Sequence, residues 1–185
     1  NRNAVLTRNL EAQRESQQRL SHSYDVLNAT LNSSNEGVLV IGKDGQLGRS
    51  LQKIVADYPA FALSFVGRNE LDLADFQLLA DSLERHASNF DVIINGAAYT
   101  AVDKAELESE LADQVNYLAV RLLAEFAQRR NIPLIHVSTD YVFDGRTYRP
   151  DVEADSVKPQ SVSGLTKRKG EQAVLASGCA GAMGR

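Results

Sequence analysis

Tryptophan is absent from the 185 residues, methionine occurs once, at Met183, and cysteine once, at Cys179. A single cysteine closes no internal disulfide, and the three histidines form no Cys/His cluster with zinc-ligand spacing. A reducing, cytoplasmic compartment is therefore expected. Positive charge is not in excess either. Twenty Lys and Arg against 24 Asp and Glu leave a net charge of −4, which gives no footprint for nucleic acid or an anionic membrane. No apolar run approaches the roughly 20 residues of a membrane span, and no signal peptide is legible. Because the chain starts at Asn1 and its one methionine is nearly last, it is expected to be a fragment of something longer. What is present is ordinary for a globular protein: 43% hydrophobic and 24% charged residues, enough to bury a core.

Residues 1–36 lack proline and reach their first glycine only at Gly37. Leu6, Leu10, Gln13, Gln17, Leu20, Tyr24, Leu27 and Leu31 alternate spacings of four and three, a heptad seam with two polar layers. Arg8, Glu11, Arg14, Glu15 and Arg19 fall off the seam. The pattern predicts a long amphipathic helix. Both a parallel coiled-coil homodimer and a helix lying on its own domain satisfy it.

After Gly37 the period changes to strand–helix alternation. Apolar runs predict strands at 38–41, 61–66, 92–95 and 134–137, with helices near 47–56, 75–86, 106–130 and 162–176. Short strands without alternation belong to a parallel sheet covered on both faces, and helices between them make right-handed crossovers. An α/β, doubly wound parallel sheet follows for residues 37–176. The first strand leads into Gly42-Lys43-Asp44-Gly45-Gln46-Leu47-Gly48 and then a helix. In such a turn glycine permits tight geometry and close approach of backbone N–H groups to a pyrophosphate, and the helix N-terminus faces the anion. Asp44-Gly45 alone is equally a hairpin turn.

Three later motifs carry a resemblance. Asn95-Gly96-Ala97-Ala98-Tyr99-Thr100-Ala101-Val102-Asp103-Lys104-Ala105-Glu106 follows the third strand, and Ser138-Thr139-Asp140-Tyr141-Val142-Phe143-Asp144-Gly145 the fourth. Pro159-Gln160-Ser161-Val162-Ser163-Gly164-Leu165-Thr166-Lys167 comes next, with Gly170-Glu171 behind it. With the glycine turn, residues 38–176 resemble the dTDP-4-dehydrorhamnose reductase family of extended short-chain dehydrogenases/reductases. The resemblance implies a Rossmann fold and reduction of a 4-keto sugar nucleotide by NADPH, with NADH possible, in dTDP-L-rhamnose biosynthesis. It implies that Gly42, Asp44, Gly45, Gln46, Leu47 and Gly48 surround the pyrophosphate and that Ala97, Ala98 and Tyr99 pack on the cofactor. Arg68 would sit near the adenosine ribose, with Asp72 and Leu73 at the adenine. A guanidinium there matches a 2′-phosphate and favours NADPH, although Arg68 is equally readable as a solvated loop charge.

The same resemblance gives Thr139 the task of hydrogen-bonding the substrate carbonyl and Lys167 that of holding the nicotinamide ribose. The family's proton-donating tyrosine stands four residues before the lysine, and here that position is Ser163. A serine hydroxyl is shorter and much less acidic than a phenol, which predicts impaired catalysis unless Tyr141 or water substitutes. The end of the chain, residues 177–185, reads as a disordered small-residue tail without a strand. The family's next strand and substrate region are not seen, so the sheet is expected to be truncated there, with an exposed edge. Residues 15–47 also resemble the entry to a sensory PAS domain behind a signalling helix, with Asp44-Gly45 as a hairpin and Gln46-Leu47 opening a second strand. A third reading is a non-catalytic dinucleotide-binding regulatory module, like the beta subunit of methionine adenosyltransferase.

Overall fold

The computed structural model describes residues 36–185 apart from positions 88, 147 and 153. The amphipathic helix and linker expected for residues 1–36 lie, up to position 35, outside the described residues, and so does the homodimer expectation. Five parallel strands form one sheet in the order β2-β1-β3-β4-β5. They are β1 (Glu36–Ile41), β2 (Phe61–Val66), β3 (Val92–Asn95), β4 (Leu134–Val137) and β5 (Gly181–Gly184). The helices are α1 (Gln46–Ile54), α2 (Phe76–Ala87), α3 (Val102–Ala105), α4 (Ser109–Asp113), α5 (Ala119–Arg130) and α6 (Val162–Ser177). A π-helical segment, Gln114–Leu118, joins α4 to α5.

The strand side chains divide between two faces because successive residues point opposite ways. Leu39 and Ile41 of β1 join Ile93, Leu134, Leu79, Leu83, Leu123, Phe126 and Val174 in the main core beneath α2, α5 and α6. Val38 and Val40 face the other way, with Val92 and the partly buried Leu51 of α1. The chain leaves β1 for β2 on one side and returns to β3 on the other. This reversal opens a crevice at the carboxyl ends of β1 and β3, the place where open α/β sheets bind ligands.

Three expectations change. The helix expected at 106–130 is divided into α4, the π segment and α5, and α3 precedes it. Gln46-Leu47 opens a helix and not a second strand, so the PAS hairpin is not formed. The tail also holds a strand. β5 pairs with β4 from Leu134–Gly181 to Val137–Gly184, and covers the edge that was expected to be bare. Its small residues carried no apolar pattern, but ladder bonds need only backbone. Glycine is required at its start, where a Cβ on Gly181 would lie 1.9 Å from the Leu134 carbonyl oxygen.

Candidate functional site

The glycine turn hangs from the end of β2: Gly42 N and Lys43 N both donate to Val66 O, at 2.9 and 3.1 Å. Gly42 has φ +96°, and a Cβ there would come within 2.9 Å of Ala97 N. Gly48, on α1, is forced by proximity. Its Cβ would meet Gly42 O at 2.4 Å and Lys43 Cα at 2.8 Å. Gly45 is the N-cap of α1 and makes no side-chain cap, so the first amides of the helix are left as donors. Leu47 lies over Gly96, its Cδ2 3.2 Å from where a Cβ would stand.

Two asparagines hold the opposite wall. Asn95, fully buried at the end of β3, accepts from Ala97 N at 3.1 Å through Oδ1. Asn116, in the π segment, accepts from Tyr99 N at 2.9 Å and donates to Tyr99 O and Thr166 Oγ1, each at 3.2 Å. A single side chain thus ties the loop after β3 to α6. Sequence reasoning passed over Asn116, which looked like one polar residue inside a helix. π segments are frequent at functional sites because they re-aim a backbone turn. Here the widened turn brings the Asn116 carbonyl so close to α6 that a Cβ on Gly170 would lie 2.3 Å from it.

Between these walls is a shallow cleft of about 80 Å³, lined by Ile41, Gly42, Gly67, Arg68, Leu71, Asp72, Leu73, Ala97, Ala98 and Val115. Gly42, Arg68, Asp72, Leu73, Ala97 and Ala98 had been singled out from the sequence. They come from three loops, and the fold brings them to one lip. Asp44, Gly45, Gln46, Leu47 and Gly48 build the turn without lining the cleft. Tyr99 packs on the core, and its hydroxyl donates to Glu108 Oε2 at 2.5 Å. That hydrogen bond raises the phenol's pKa. Asp72 accepts from Ala74 N at 2.8 Å and stands 3.7 Å from the Arg68 guanidinium. A wider depression of about 450 Å³ beside Leu107, Glu110 and Gln114 contains no residue of the turn or of α6. Of the two, only the cleft is bordered by the glycine turn, through Gly42.

The second half of the site is where β4 meets α6. Ser161 caps α6, its Oγ accepting from Gly164 N at 3.1 Å. A Cβ on Gly164 would lie 2.2 Å from Tyr141 O, so the helix start is pressed against the loop after β4. Ser163 and Lys167 are one helical turn apart and both buried. Lys167 Nζ donates to Val137 O at 2.5 Å. Burial pushes its pKa down to about 8, against the opposing pull of Glu171. Thr139 Oγ1 accepts from Tyr141 N at 3.2 Å and donates to Asp140 Oδ1 at 3.1 Å. Tyr141 is half exposed.

Glu171 is fully buried beneath this half. It accepts from Ser138 Oγ at 2.7 Å, Arg168 at 3.0 Å, and Arg185 at 2.8 and 2.9 Å. Burial alone would raise its pKa, but the bonds from Arg185, Ser138 and Arg168 outweigh burial and hold it below the ordinary value. His136 is buried too. Asn95 uses its oxygen on Ala97, so its amide nitrogen donates to His136 Nδ1 at 3.1 Å and the imidazole proton belongs on Nε2, which is buried with no hydrogen-bond partner among the described residues. Burial, then the charge of Lys167, push His136 down to about 3, so the ring is neutral. No His, Cys, Asp or Glu cluster fit for a metal occurs among the described residues.

A family model described as the RmlD substrate binding domain matches residues 36–185. The chain belongs to this family. A dTDP-4-dehydrorhamnose reductase from Aggregatibacter actinomycetemcomitans is 44% identical over 141 residues, 75% of this chain and 46% of that protein. One from Sinorhizobium fredii is 43% identical over 138 residues, 75% and 45% of the two chains. The chain therefore spans about half the length of the curated relatives it matches. Among solved structures, a dTDP-4-dehydrorhamnose reductase from Clostridium acetobutylicum has 34% identity and a TM-score of 0.73, covering 80% of this chain and 51% of that one. Another, from Bacillus anthracis in complex with NADP, has 30% identity and a TM-score of 0.71, covering 80% and 52%. No helix among the described residues is long and apolar enough to cross a membrane.

Proposed function

We propose that this chain is the dinucleotide-binding part of a dTDP-4-dehydrorhamnose reductase-like protein, taking NADPH, or NADH, and serving the reduction of a 4-keto sugar nucleotide. The observation that carries the reading is the meeting of the glycine turn, Arg68 and Asp72, and Ala97 and Ala98 at one cleft on the switch point of the sheet. When bound, the nicotinamide supplies the hydride. The chain's own residues orient and polarise. Lys167 spends one of its three N–H donors on Val137 O, which leaves donors for a ribose hydroxyl. Thr139 offers its hydroxyl to a substrate carbonyl if it exchanges its bond to Asp140. Ser163 stands where the resemblance expects a tyrosine, and its short, buried hydroxyl is a poor proton donor at neutral pH.

That last feature supports a second reading, a regulatory module that binds the dinucleotide without turning it over. Fluorescence titration with NADPH and NADH, followed by a turnover assay with dTDP-4-dehydrorhamnose, separates them. Binding with turnover supports the reductase, and binding without it the module. Absence of binding overturns both. The heptad seam of residues 6–31 supports a homodimer, and sedimentation before and after deleting residues 1–34 tests it.

A further inference from the structure

The lip of the cleft carries an ion pair that the function above does not use. Lys43, inside the glycine turn, donates through Nζ to Glu70 Oε1 at 2.5 Å, and Glu70 Oε2 accepts from Gly67 N at 2.9 Å. The pair therefore straddles Gly67, a cleft-lining residue. Lys43 Cε and Cγ lie 2.8 and 3.2 Å from where a Cβ on Gly67 would be, and Asp44 Oδ2 lies 3.0 Å from it. Arg68 and Asp72 line the cleft on the same loop. The lip thus holds two cations, Lys43 and Arg68, against three carboxylates, Asp44, Glu70 and Asp72.

A 2′-phosphate on the adenosine ribose would bring roughly two more negative charges to this lip. The bond to Glu70 takes one of the three Lys43 N–H donors, but the carboxylate offsets the charge that the ammonium presents to that phosphate. We infer that the Lys43–Glu70 pair is the selector for the 2′ substituent: it restrains the preference for a 2′-phosphate that Arg68 alone would produce, and lets a plain 2′-hydroxyl bind on comparable terms. This rests on the dinucleotide reading of the cleft. The charge ledger makes opposite predictions for the two partners. Removing Glu70's charge frees Lys43 for the phosphate, whereas removing Lys43's charge leaves Glu70 to repel it.

The test is calorimetric titration of the full chain with 2′,5′-ADP and with ADP, which probe the adenosine end without turnover. Lys43 and Glu70 side chains are 30% and 37% exposed, so polar replacements do not threaten the core. Glu70→Gln keeps an acceptor for Gly67 N. It should raise the affinity ratio of 2′,5′-ADP to ADP about fivefold, and Lys43→Gln should lower it by a similar factor, as expected for one charge gained or lost near the surface. The double variant should return to within about twofold of the native ratio. Ratios unchanged in both single variants, a shift in only one of them, or shifts in the same direction overturn the selector. Failure of both ligands to bind at millimolar concentration overturns the dinucleotide reading itself and the selector with it.

Discussion

The two halves of the site handle charge in opposite ways. At the cleft, the ionic groups are at the surface: Arg68 has a side chain 74% exposed, and its partner Asp72 is 3.7 Å away. Where β4 meets α6, Lys167, Glu171 and His136 are taken out of water and held by fixed partners. Surface pairs contribute little to stability and are easily retuned, whereas buried charges are costly to hold and costlier to orphan. Under the proposed function, the cleft can therefore exchange residues to alter a preference between dinucleotides. In the buried half a substitution acts on fixed partners, and under the proposed function Ser163 is the position with the most at stake.

The largest effect expected from that contrast is at position 163. In a version of this chain joined to the C-terminal half of a relative, Ser163→Tyr should raise NADPH-dependent turnover of dTDP-4-dehydrorhamnose by about 10²–10⁴-fold over the same fusion with serine. Equal rates would show that the proton comes from elsewhere, with Tyr141 or water the first to examine.

Next in size is Glu171→Ala, which removes the acceptor shared by Ser138, Arg168 and Arg185. It should cost about 3 kcal/mol in urea unfolding at pH 7. The native carboxyl is held below its unfolded value, so its contribution is present above the unfolded pKa and lost as pH falls through the folded one. The gap between native and variant should therefore narrow in acid. A loss under about 1 kcal/mol would mean the cluster is not the anchor its geometry implies.

Lys167→Met should act the other way. The folded chain gives up the lysine proton near pH 8, while the unfolded chain keeps it to about 10.5. Between those values the unfolded state binds more protons, so native stability rises with pH, and below pH 8 the buried ammonium is a full cost. Methionine removes that cost, and should stabilise the chain by about 2 kcal/mol at pH 7, with the gain vanishing toward pH 10.5. Destabilisation at pH 7 would show that the bond to Val137 O outweighs desolvation.

The smallest effect belongs to the cleft. Arg68→Ala should weaken NADPH about threefold and leave NADH unchanged, because so exposed a guanidinium is well screened. An equal loss for both dinucleotides would assign Arg68 to the shared adenine or pyrophosphate end and not to the 2′ position.

From the chain alone, β1 to β4 and the glycine turn could be placed, because apolar runs and glycines answer to local rules: burial on both faces of a parallel strand, and turns that admit no Cβ. That Ser163 stands where the family resemblance expects a tyrosine was equally legible, and helical spacing puts it on one face with Lys167. Tertiary structure decided the rest. β5 exists because Gly181–Gly184 finds the open backbone of β4, a partner whose register small side chains do not announce. Asn116 became a clamp only when the π segment laid it between Tyr99 and Thr166. Glu171 could be read as a helix charge until Ser138, Arg168 and Arg185 closed around it, 33 residues along the chain in the case of Ser138. Local sequence sets what a segment can form. The partners of a buried polar group come from distant segments, and no periodicity encodes them.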